Sequence, residues 1–174
     1  MIKTISISGP ESSGKTWLTK KLAEYFNEPY SLEFARKYLE SKNGFYEEKD
    51  LIEIAKGQIK RNKETTNAAR HIAFNDTSYL DIFVWSTIKY GHISDALSKL
   101  KSTEEKTYYL LCAPNIEYES DELRESPNQE KRNLIYNTFY KNLKGSSNLL
   151  GVIDSKKDLR LKSAIEIIES KFNF

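Results

Sequence analysis

Eight residues constrain this chain more than any others: Gly9-Pro10-Glu11-Ser12-Ser13-Gly14-Lys15-Thr16 satisfies G-x-x-x-x-G-K-[ST] at every fixed position. The setting matches the motif. Ile5 and Ile7, between Lys3 and Ser8, form a short β-branched run that reads as a strand. From Lys15, the apolar residues Leu18, Leu22 and Phe26 recur every four positions, the period of a helix with one buried face. The loop therefore leaves a strand and opens a helix. Its glycines let backbone N–H groups turn inward around phosphate oxygens, and the unpaired N–H groups of the helix start face the same anion. Lys15 is expected to reach the β- and γ-phosphates of ATP, and the Thr16 hydroxyl to ligate Mg2+. Chance produces such a match in on the order of one chain in a few hundred of this length.

The rest of the chain alternates in the same way. Tyr30 to Leu32 reads as a short second strand, followed by a helix carrying Phe34, Tyr38 and Leu39. After the Asn43-Gly44 turn a long helix starts near Glu48, with Leu51, Ile54, Ala55 and Ile59 inward. His71 to Asn75 reads as strand three, Tyr79 to Tyr90 as a helix, and Tyr108 to Cys112 as strand four. Two prolines and many charges make 113–128 an exposed, lid-like loop. Leu134, Ile135, Phe139 and Leu143 mark a helix, Leu149 to Ile153 strand five, and Leu161, Ala164, Ile165, Ile168 and Phe172 a final helix. The expected fold is α/β: a three-layer, P-loop kinase-like sandwich with a mostly parallel five-stranded sheet and helices on both faces. Residues 1–174 read as one such domain.

Composition narrows the partners. With 27 basic residues against 25 acidic ones, interleaved along the chain, no basic stripe suits a nucleic acid. No window approaches the 18 apolar residues of a membrane span, and Met1-Ile2-Lys3-Thr4-Ile5 runs straight into a strand pattern without a signal peptide. The expectation is a cytoplasmic protein that acts on a small molecule. The single cysteine, Cys112, lies in an apolar run and reads as core.

Candidates for the remaining chemistry stand at strand ends. Asp76 follows strand three, where a P-loop protein keeps the carboxylate that holds the magnesium water shell; as a helix N-cap it has an equally ordinary role. Glu33 stands just beyond strand two, placed either to orient or deprotonate an acceptor hydroxyl or to favour a helix dipole. Arg36, one turn on, either contacts a phosphate or pairs with Glu33 or Glu40. Arg124 and Arg132 are candidates for a lid arginine over the γ-phosphate, against the alternative of solvated arginines near a helix start.

Taken in order, GPESSGKT from Gly9, LEFARKYLE from Leu32, DLIEIAKGQI from Asp50, NDTSYLDIFVWS from Asn75, YYLLCAPNIEY from Tyr108 and DELRESPNQEKR from Asp121 resemble the ribosylnicotinamide (nicotinamide riboside) kinase domain of the NadR-type family. The resemblance covers most of the chain. It implies transfer of the ATP γ-phosphate to the ribose 5′-hydroxyl of nicotinamide riboside, giving nicotinamide mononucleotide. By matched position it gives Lys15, Thr16 and Asp76 to ATP and magnesium, Glu33 and Arg36 to the acceptor, and Arg124 to the lid. Trp85, Tyr118 and Asp121 join the acceptor side, although Trp85 fits a core indole equally well.

The departures fall on that acceptor side. The family's second acid, two residues after Asp76, is Ser78 here; its acids near Ala113-Pro114-Asn115 are missing, and Tyr118 replaces a tryptophan. Two alternatives therefore stand beside the riboside kinase: a kinase for another nucleoside or small hydroxyl compound, and a nucleotide-binding regulatory module. The bifunctional relatives also carry an adenylyltransferase domain, for which 174 residues leave no room.

Overall fold

The computed structural model describes residues 2–103, 106–117, 123, 126–156 and 158–173. Five strands, β1 (Lys3–Ser8), β2 (Tyr30–Ser31), β3 (Ile72–Asp76), β4 (Thr107–Cys112) and β5 (Leu149–Ile153), form one sheet in the order β2-β3-β1-β4-β5. Every pairing is parallel, so the expected "mostly parallel" sheet is parallel throughout the described strands. Parallel strands need crossover helices, and these cover both faces.

Helices α1 (Lys15–Phe26) and α7 (Asp158–Phe172) cover one face. There Ile5, Ile7, Phe74 and Leu110 of the central strands pack against Leu18 and Leu22 of α1 and Ala164 and Ile168 of α7. The other face carries α2 (Phe34–Ser41), α3 (Asp50–Ala68), α4 (Tyr79–Tyr90), the short α5 (Asp95–Leu100) and α6 (Gln129–Leu143). Its core is built around Leu51, Ile54, Tyr79 and Ile82, with a second cluster of Val84, Leu111 and Phe139 beneath α6.

Four sequence expectations need correction. α5 and the 3-10 turn Lys101–Thr103 were not anticipated; six residues are too few to show a helical period. Leu134 is 56% exposed, while Phe139 and Leu143 are buried as expected, because Arg132 takes the inward position on the first turns of α6. The 113–128 loop is not uniformly exposed, since Ala113, Pro114 and Ser126 are buried. Strand three runs one residue later than its apolar run, so Asp76 is its last residue and His71 lies outside. That register places Ile7 beside Asp76, and the phosphate loop beside the strand's carboxyl end.

Candidate active site

The loop between β1 and α1 is shaped by close approach. Gly9 has φ of 144°, and a β-carbon there would come within 2.6 Å of the Cys112 carbonyl oxygen on the neighbouring strand. Only glycine fits that combination. Gly14 is the N-cap of α1 with φ of 77°, no side chain caps the helix, and its first turn holds no acid. The unfilled N–H groups and positive end of a twelve-residue helix are thus left for an anion.

Arg160 supports this loop from below. It is 1% exposed, and its guanidinium donates to Ser13 O at 2.9 Å, Ser155 O at 2.8 Å and Asn115 Oδ1 at 2.8 Å. The last helix, 147 residues away in sequence, thereby fixes the phosphate loop to the ends of β4 and β5.

Two cavities meet at the loop. One, of about 640 Å³, runs along Ser12, Ser13, Gly14 and Thr16 to Trp17, Arg36 and Arg160. The other, of about 360 Å³, lies between α3, α4 and α6 over an apolar floor that includes Ile54, Val84 and Phe139, and it takes in Gly9 and Pro10. Glu11, Lys15, Glu33, Leu39 and Leu123 line both. A group bound in one cavity therefore meets a group bound in the other at Lys15 and Glu33.

The charges at this junction are partly shielded and uneven, and Asp76 is fully buried. Lys15 Nζ donates to Gly9 O at 2.8 Å and Pro10 O at 2.9 Å. Burial pushes the Glu33 carboxyl above its usual range; Asp76 and Glu11 add to the rise, while Lys15 and Arg36 oppose it. Burial also raises Asp76, against the pull of Lys15 and of its hydrogen bond from Thr16. The Asp81 carboxyl is pushed up to about 6, chiefly by burial. Three acids that resist ionisation around one lysine leave a site short of positive charge.

A magnesium ion fits that shortage. Thr16 Oγ1 donates to Asp76 Oδ2 at 2.6 Å, so the two groups that would hold the ion already touch. Asp76 is 1% exposed, and its Oδ1 is buried without a hydrogen-bond partner among the described residues. Those residues contain no group of three or more His, Cys, Asp or Glu able to hold a metal alone. An ion here would draw its other ligands from phosphate and water.

The structure separates the remaining candidates. Asp76 is not the cap of α4: that role belongs to Ser78, whose side chain accepts from Leu80 N and which shares a reciprocal capping box with Asp81. Trp85 lines the apolar cavity and donates from Nε1 to Tyr46 OH at 2.8 Å, so it is a wall residue and not a wholly enclosed indole. Arg36 lines the phosphate-loop cavity, together with Glu33, and not the apolar one. Arg132 is neither solvated nor over the loop. It is 1% exposed and donates to Pro114 O at 3.1 Å and Ile116 O at 2.7 Å, holding the start of the 113–128 segment. Tyr118, Asp121 and Arg124 lie outside the described residues.

Asp81 was missed. It lines the apolar cavity, accepts from Ser8 Oγ at 2.7 Å and Ser78 N at 3.0 Å, and leaves Oδ1 buried and unpartnered among the described residues. The signal lay in Ser78-x-x-Asp81, the spacing of a capping box.

Asp81 also yields a pH prediction. Its folded value of about 6 lies above the ordinary 3.8, so the folded state holds the proton more tightly than the unfolded chain. Stability is fullest below pH 4 for this group and falls as pH rises through 6, by at most about 3 kcal/mol. Asp81→Asn keeps a capping oxygen and removes the titration. Urea unfolding at pH 5 and 7.5 should show the variant losing less stability over that interval than the wild type. Parallel losses would remove Asp81 as the cause.

Comparison with known proteins follows this geometry. A family model described as an AAA domain matches residues 4–159. The chain is 25% identical over 173 residues to the trifunctional NAD biosynthesis/regulator protein NadR of Salmonella typhimurium strain LT2, covering 97% of this chain and 42% of that protein. Crystal structures of NadR in complex with NAD and AMP-PNP, and in complex with NR, superimpose with TM-scores of 0.80 and 0.78 at 22% and 21% identity, covering 99% of this chain and 50% of each. Thymidylate kinase from Ehrlichia chaffeensis shares the fold over 96% of this chain and 98% of its own, with a TM-score of 0.67 at 16% identity. The chain spans about half the length of the NadR proteins it matches. No helix among the described residues is long and apolar enough to cross a membrane. The chain belongs to the AAA domain family, and its P-loop fold is similar to NadR over almost its entire length.

Proposed function

We propose that this chain is an ATP-dependent kinase that phosphorylates the ribose 5′-hydroxyl of nicotinamide riboside, giving nicotinamide mononucleotide. The observation that carries the reading is Glu33, on the wall shared by the two cavities and next to Lys15. A binding module needs no raised carboxylate between a phosphate loop and a second pocket. The nucleotide would lie along the phosphate loop, with Lys15 turned to its β- and γ-phosphates. Magnesium, held by Thr16 and Asp76, would offset phosphate charge. Glu33 takes the proton of the acceptor hydroxyl as its oxygen bonds to the γ-phosphorus; the bond from that phosphorus to the β–γ bridging oxygen breaks and ADP leaves.

Several features support a nucleoside acceptor. The apolar cavity is large enough for one, and Glu11, Glu33 and Asp81 line it together with Trp85. An indole face suits a planar ring bearing positive charge, such as the pyridinium of nicotinamide riboside. NadR has been crystallised with NR and with AMP-PNP, which agrees with this pairing of ligands. The replacement of the expected acid by Ser78 favours a second reading, in which the same chemistry serves another nucleoside.

A coupled ADP-release assay over a panel of nucleosides decides between them. Nicotinamide riboside should give the highest kcat/KM, with the mononucleotide as product. Release driven by a different nucleoside would move the assignment to the second reading, and release by none would end both.

A further inference from the structure

The stretch Ile54-Ala55-Lys56-Gly57-Gln58 has a geometry that the proposed chemistry does not yet use. An N-cap residue ordinarily turns its own side chain back onto the first-turn N–H groups. Glu33 is the N-cap of α2 and makes no such bond. The N–H of the first helical residue, Phe34, which lies short of the N2 and N3 groups a cap side chain bonds, is taken by Gln58 Oε1 of α3 at 2.7 Å.

Gln58 is 1% exposed and belongs to a chain of bonds. Its Nε2 donates to Asn62 Oδ1 at 2.8 Å, and Asn62 Nδ2 donates to the carbonyl of Thr77, the residue after Asp76, at 3.2 Å. Ser31 Oγ donates to the same Asn62 oxygen at 2.8 Å. Arg61 donates to Leu32 O at 3.4 Å and Glu33 O at 3.3 Å, and its guanidinium lies 4.9 Å from the centre of the Phe34 ring. Gly57 leaves room for that ring, because a β-carbon there would come within 2.4 Å of it. Positions 57, 58, 61 and 62 share one face of α3. That face grips every residue from Ser31 to Phe34.

We infer that this face of α3 aims Glu33, and that Gln58 is a positioning residue for phosphoryl transfer: by holding the Phe34 N–H, it fixes the backbone from which the Glu33 carboxyl reaches the acceptor. The inference rests on the reading of Glu33 as the group that takes the acceptor's proton. A reacting group displaced by about 1 Å loses on the order of 100-fold in rate. Without that bond the start of α2 can shift against α3, and the Glu33 carboxyl shifts with it.

The test is a double-variant cycle. Gln58→Met should lower kcat about 30-fold, a loss within the range for a misplaced group, with nucleotide affinity unchanged. In a Glu33→Gln background the same change should cost less than about twofold, because a residue acting through Glu33 has nothing left to position. Arg61 is partly exposed, so Arg61→Met is the companion variant should Gln58→Met fail to fold. It should lower kcat about fivefold and show the same loss of effect in the Glu33→Gln background. Equal losses in both backgrounds would overturn the inference alone. No transfer to any riboside by the wild-type chain would overturn the kinase reading, and this inference with it.

Discussion

Lys15→Ala should lower kcat for phosphoryl transfer by about 1000-fold, or about 4 kcal/mol of transition-state stabilisation. Lys15 is the only lysine or arginine among the described residues that lines both cavities. Charge on the transferring group develops between those cavities, where Lys15 alone among the described lysines and arginines faces both sides. The fold should tolerate the change to within about 1 kcal/mol, because Lys15 is partly exposed and bonds only to carbonyls of its own loop. Activity would be measured by single-turnover transfer, and folding by urea titration. The two tryptophans assist: Trp17 lines the phosphate-loop cavity and Trp85 the apolar one. In a Trp85→Phe background, nucleotide binding is read from Trp17 fluorescence. Undiminished turnover in Lys15→Ala, with folding intact, would refute the assignment of the loop.

Glu33→Gln should reduce kcat by about 100- to 1000-fold while leaving the acceptor KM within a few-fold, since glutamine keeps the shape and loses only the proton-accepting charge. The pH profile sharpens the test. Burial holds Glu33 in its protonated form to a higher pH than an ordinary glutamate, whose value is 4.5. A group that must be ionised to act gives a rate that falls as pH drops through its folded value. The wild-type profile should therefore show an acidic limb above 4.5, and Glu33→Gln should lack it. Asp76 and Asp81 titrate in the same cluster, so the midpoint of the limb reflects all three acids, while its loss in the variant reports Glu33. A variant that keeps both full rate and limb would make Glu33 a structural acid.

The parts of this site that were legible in the sequence are those whose chemistry fixes residue types at short spacing. The phosphate loop is eight contiguous residues, and its strand and helix follow from local periodicity. Asp76 and Glu33 were found because open parallel sheets gather ligands beyond the carboxyl ends of their strands. What stayed hidden depends on partners distant in sequence. Arg132 and Arg160 bind chiefly backbone carbonyls, which have no residue signature, so nothing in their local sequence distinguishes a buried strut from a solvated arginine. Gln58 was visible only as part of a family-like stretch; its role emerges when α3 is laid against residues 31–34. Asp81 was legible in principle from Ser78-x-x-Asp81, the spacing of a capping box, but its place in the cleft depends on Ser8 of a distant strand.

The Arg160 strut has a consequence for synthesis. The phosphate loop begins at Gly9, but its floor is supplied by a side chain on a helix 147 residues further along the chain from Ser13. Until that helix has left the ribosome, the Ser13 carbonyl lacks its guanidinium, so a nascent chain halted before Arg160 should hold nucleotide more weakly than one halted beyond α7.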